Sequence, residues 1–194
     1  MASTFPTSLD TFTNPTATSL LTSPSHSLSH SDLNDAVEAL EAKVAIGNTV
    51  LGTYQSWTPT GVTWTVGNGT WSAFYARVNN LVHIYATFTL GSTSSLGAGS
   101  LLIGGLPSNI DSAMMSSGAY GADFQIGNAT FQTTGAGAAT PYFGVVASNS
   151  ATQIRLWVSN ASGTYVRSTA TTATVPFTWA TGDTFRFSAF YKAA

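Results

Sequence analysis

The chain has 194 residues, a formal net charge of −2, only 7% charged residues and no cysteine. That length allows one compact domain plus an extension, and the lack of cysteine excludes a disulfide framework and a thiolate metal site. No basic stripe of the kind nucleic-acid binding needs is present, and no stretch approaches the ~18–20 apolar residues of a membrane span.

The first fifteen residues, MASTFPTSLDTFTNP, lack the basic start and unbroken apolar run of a secretory signal, so a soluble chain made without its own export signal is expected. Residues 1–28 are rich in Ser, Thr and Pro, and Asn14-Pro15 and Ser23-Pro24 interrupt any helix. The apolar residues Phe5, Leu9, Phe12, Leu20 and Leu21 are spaced too thinly to form a core. Two readings fit: a disordered tail, or an arm that orders when those five side chains dock on a partner.

A helix is expected over 29–47, capped by Ser29, Ser31 or Asp32 and stopped by Gly47. Asp35 and Glu38 would lie toward the positive end of its dipole. His30, Leu33, Val37, Leu40 and Val44 recur at heptad positions a, d, a, d and a. Such a short helix is marginal alone, so this narrow seam packs either on copies of itself or on the domain that follows. Val at a with Leu at d leans by itself toward two strands. A polar His30 at a could fix the register, or copies of it brought together by self-association could hold a metal or anion; the register role is preferred.

Residues 48–194 read as β throughout, with period-two alternation punctuated by Gly, Asn and Pro. The clearest strand is Leu81–Leu90, with Val82, Ile84, Ala86, Phe88 and Leu90 on one face. Further runs are Trp71–Val78, Gln153–Val158 and Thr184–Tyr191, with less regular ones at Leu101–Ile103, Tyr120–Ile126, Thr130–Gln132 and Tyr142–Val146. Asn68-Gly69 is the strongest hairpin signal. Eight or more strands without a second helix predict an all-β, antiparallel, jelly-roll-like sandwich knob.

Chemistry is sparse. After Gly47 the carboxylates are Asp111, Asp123 and Asp183, each in a turn-like context, so no pair for glycoside cleavage is expected. No nucleophile elbow, phosphate loop or His-Glu-x-x-His occurs, and the lone knob histidine, His83, reads as a surface or interface residue. No catalytic residue, cofactor or metal is assigned. Alternation places Tyr85, Trp157 and Phe190 on the outer face, with Arg155 and Arg186 beside them. Outward aromatics of this kind form a subunit interface or, second, a stacking platform for sugar.

Three stretches resemble the small fibre and knob proteins of tailed bacteriophage particles, especially those infecting actinobacteria. They are LDTFTNPTATSLLTSPSHSLSHSDLNDAVEALEAKV, then YQSWTPTGVTWTVGNGTWSAFYARVNNLVHIYATFTLG with the Leu-Pro of LIGGLPSNI, and the closing WATGDTFRFSAFY. The first is similar to particle-attachment segments. The Trp-Thr-Pro, Tyr-x-Arg-Val-x-Asn and Leu-Pro features are similar to knobs of head fibres, decoration proteins and minor tail proteins. The resemblance implies a homotrimer with helices bundled on the threefold axis, whereas the heptad rule leans to two strands. It also implies a virion-surface location, with residues 1–28 held by capsid or tail proteins and the knob displayed, a host-surface glycan being a further candidate partner.

Overall fold

The computed structural model describes residues 26–44, 53–115, 124–134, 141–162 and 164–194. The chain divides into two units, Met1–Thr53 and Tyr54–Ala194. In the first, helix α1 runs His26–Val44. It starts three residues ahead of Ser29, because Pro24 is the last helix breaker and nothing from His26 onward opposes helical geometry. Ser29, Ser31 and Asp32 are therefore inside the helix and do not cap it. The first turn holds no acidic residue, so the expected dipole role of Asp35 and Glu38 falls away, since that effect fades beyond one turn. Gly47, and with it the expected stop, lies outside the described residues. At 19 residues the helix is about 28 Å long. No described helix is long and apolar enough to cross a membrane.

The second unit is antiparallel β. Its strands are β1 Gln55–Ser56, β2 Thr60–Gly61, β3 Thr70–Val78, β4 Leu81–Thr89, β5 Leu102–Gly104, β6 Gln125–Gln132, β7 Tyr142–Ser150, β8 Gln153–Ser162, β9 Tyr165–Ala170 and β10 Thr184–Lys192, with one 3-10 turn at Ser112–Met114. They form a single sheet in the order β1-β3-β4-β10-β6-β7-β8-β5-β2, with β9 continuing along the β8 edge that β5 leaves free. The two end strands, β1 and β2, are separated in the chain only by Trp57, Thr58 and Pro59. Four Cα steps reach at most about 14 Å, so the sheet must curl until its ends nearly meet. The result is a half-barrel.

Alternation fills the inside. Val82, Ile84, Ala86 and Phe88 of β4, Phe185, Phe187, Ala189 and Tyr191 of β10, and Ile154, Leu156 and Val158 of β8 are all buried, as their period-two spacing requires. Each large side chain so buried contributes roughly 1.5–3 kcal/mol. Trp64 ties the two halves of the curl together: its indole N–H donates to the Leu102 carbonyl on β5, and its ring meets Phe88 of β4 edge-on at 4.9 Å.

Some local expectations change. Asn68-Gly69 does not join two paired strands but forms the turn that starts β3, closed by the Gly69 N–H donating to the Val66 carbonyl. The Asn68 side chain holds the 91–94 turn through Thr93 and Ser92. The β3–β4 hairpin turns instead at Asn79-Asn80, with Asn79 at φ 53°. Of the two short runs expected at 120–126 and 130–132, residues 120–123 lie outside the described residues, while Gln125, Ile126 and 130–132 belong to one strand, β6, passing through Gly127 where a Cβ would collide with the Ser188 carbonyl oxygen. Gly127 is there because β10 approaches too closely for any side chain.

Candidate functional site

Three sets of residues carry the expected function, and the structure treats them differently. The anchoring set, Phe5, Leu9, Phe12, Leu20 and Leu21, lies outside the described residues. Of the seam, Leu33, Val37 and Leu40 are 53%, 44% and 52% exposed among the described residues. His30 is exposed and its Nε2 lies 3.1 Å from Nε2 of His26, one turn earlier. The early helix start thus adds His26 at a d position to the same line. Val44 closes the helix, its side chain outside the described residues.

On the knob, Tyr85, Phe190 and Arg186 point outward and are exposed, and Trp157 and Arg155 are half-buried on the same face. Strand register separates them into two groups. Tyr85 pairs with Ser188, Ser188 with Asn128, Asn128 with Val145, and Val145 with Trp157. Four strand steps put Trp157 about 19 Å from Tyr85 along the curl. No single platform contains both.

The first group centres on His83. Phe190 stacks on its ring at 4.1 Å and 13°, Tyr54 meets it edge-on at 5.6 Å, and Phe74 is the cross-strand partner of Tyr85. The Tyr54 hydroxyl is 2.6 Å from Nδ1 and the Ser188 hydroxyl 2.8 Å from Nε2. A neutral imidazole satisfies both, accepting at Nδ1 and donating from Nε2. Burial lowers the pKa of His83 below its ordinary value, because desolvation disfavours the charged ring. Tyr54 and Phe74 were not singled out in the sequence. The outward parity of Phe74 on β3 would have found it, whereas Tyr54 precedes any strand long enough to show alternation.

The second group is closed on itself. The Arg155 guanidinium lies 5.4 Å from the Trp157 ring centroid and donates to Asn149 Oδ1, while Asn149 donates to Gln153. One face of the indole is therefore already covered by a cation, which reduces what Trp157 offers to a sugar.

The two described carboxylates of this unit, Asp111 and Asp183, do not converge. Asp183 is fully buried at the start of β10, accepting from the Thr134 N–H and hydroxyl and from the Ala180 N–H. Asp111 pairs with Lys192 at the other end of the same strand, and its pKa is lowered first by that Lys192 hydrogen bond and then by the Ala113 N–H. The length of β10 between them, about 26 Å, is far beyond the 5–9.5 Å of a glycosidase pair. Asp123 lies outside the described residues. Among the described residues no three His, Cys, Asp or Glu side chains gather as metal ligands.

No family model, curated protein or solved structure matches the chain. What the molecule offers to a partner is therefore read from its own described surfaces: an exposed apolar line on α1 and an outward aromatic group around His83.

Proposed function

We propose that the chain is a non-enzymatic bacteriophage virion protein: a homotrimeric capsid decoration or head-fibre protein, anchored by residues 1–28, aligned by a coiled-coil α1 and displaying the β domain as a knob. On this reading the curled sheet plays the part of the jelly-roll sandwich in such knobs. The observation that supports it most is the exposure of Leu33, Val37 and Leu40 at heptad spacing, since a line of large apolar side chains left in water calls for copies of itself. The sequence resemblance supplies the particle and the preference for three copies. Removing residues 1–28 leaves a soluble oligomer that no longer associates with particles in co-sedimentation; retained association would sink the anchoring role.

A minor tail or receptor-binding fibre-tip protein is the second reading, favoured by the exposed Phe74, Tyr85 and Phe190 on one side of the knob. Saturable adsorption of the purified chain to host cell walls supports the tip, and its absence supports the decoration. A stand-alone glycan-binding module acting through the outer face requires instead that Trp157→Ala abolish sugar binding at that face, and Arg155 lying over that ring weighs against it.

A further inference from the structure

The knob has two ends. Tyr54 and β1 lie toward the end of β3 nearer the Asn79-Asn80 turn, because Gln55 pairs with Tyr75 and the strands are antiparallel. At the opposite end, where β4 finishes and β10 begins, the segments 90–96 and 173–181 line an open cleft of about 440 Å³, within the range of small-molecule sites.

Its lining contains no ionisable side chain. Ser95, Thr174, Thr178 and Thr181 contribute hydroxyls, and Leu96 and Trp179 contribute the apolar part. The Ser92 and Ser94 hydroxyls, also in the lining, are used internally, accepting from the Asn68 amide and donating to the Val66 carbonyl. The other four hydroxyls have no hydrogen-bond partner among the described residues.

The walls are held in place without a ligand. The Trp179 indole N–H donates to the carbonyls of Thr172 and Val175 at 3.0 and 3.4 Å, and its ring is braced by Phe177 at 4.5 Å and edge-on by Phe131 and Phe185. Leu90 exchanges backbone hydrogen bonds with Gly182 and Asp183, and the Ala173 N–H donates to the Gly97 carbonyl. Such preorganisation removes ordering cost from a binding event.

We propose that this cleft binds a neutral saccharide. An anionic ligand finds no cation in the lining, and a wholly apolar one leaves the hydroxyls unpaired. A sugar ring matches both parts: its hydroxyls exchange donor and acceptor roles with Ser and Thr, and its C–H face suits the apolar part of the lining. The residues differ from Tyr85, Trp157 and the other outer-face groups. The proposal does not rest on the arm or the trimer, because the cleft is complete within one knob.

The test is titration of the full chain with galactose, mannose, arabinose and N-acetylglucosamine, followed by amide and indole NMR shifts. At least one sugar gives saturable shifts at residues 90–96 and 173–181, with a dissociation constant on the order of a millimolar. Thr178→Arg, which fills the cleft from an exposed position, weakens binding about tenfold or more with the remaining spectrum unchanged. Thr178→Val weakens it several-fold by removing one hydroxyl, which keeps the test decisive if the larger side chain perturbs folding. No saturable shift with any of the four sugars, shifts confined to the Tyr85 or Trp157 face, or undiminished binding by both variants overturns the proposal. Oligomeric state and particle association are unaffected by the variants, so failure here is separable from failure of the particle reading.

Discussion

Asp183 shows how a single charge can be structural. Its carboxylate lies in the interior with no cation paired to it among the described residues, yet three donors from Thr134 and Ala180 satisfy it and join the end of β6 to the start of β10. Asp183→Ala strands those donors, and a loss of about 2–4 kcal/mol is expected in urea unfolding. Tyr191 is fully enclosed at the other end of β10, donating to the Ser108 carbonyl, and burial pushes its pKa up to about 12. His83 carries the pH dependence nearest neutrality. Its folded pKa is below the ordinary value, so as pH falls the unfolded chain takes up the proton first. Stability is then complete above roughly pH 6.5, falls with acidification, and levels off below the depressed folded pKa. Thermal melts across this window should show a drop in Tm that His83→Gln flattens, because Gln keeps partners for Tyr54 and Ser188 without titrating. Equal slopes in the two proteins would contradict the assignment.

At the scale of elements, α1 and the sheet differ in what covers them. The strands bury one face in the curl, while the helix has its heptad line exposed. Leu33→Asp with Val37→Asp puts charge on that line without touching the knob. Sedimentation should then show monomers whose knob melts as before, and an unchanged oligomer would remove the helix from the assembly. The long strands were legible because one face meets the core and the other does not: β4, β10 and the Gln153–Val158 part of β8 alternate without interruption. β9 was missed because Tyr165, Val166, Arg167 and Ser168 are all exposed, so burial imposes no alternation on them. The helix start was misplaced because serines that favour caps also tolerate helix interiors, and the arrangement around Asn68 depends on a side chain reaching a turn 25 residues away. The outward parity of Tyr85, Phe190 and Trp157 could be read residue by residue. Their separation into two groups could not, since it follows from β10, β6 and β7 being inserted between β4 and β8.

For the whole molecule, the same alternation suits two packed sheets or one sheet curled on itself, because each strand turns one face inward in both. Only the strand order distinguishes them, and long-range pairing leaves no local trace in the chain. Within the β unit, Tyr54 and the Trp179 cleft lie toward opposite ends of the sheet. Trimerisation through α1 is the link on which the displayed-knob account depends. Native mass spectrometry of the full-length chain at micromolar concentration tests it most directly. The account predicts a trimer as the dominant species, and a monomer would contradict it.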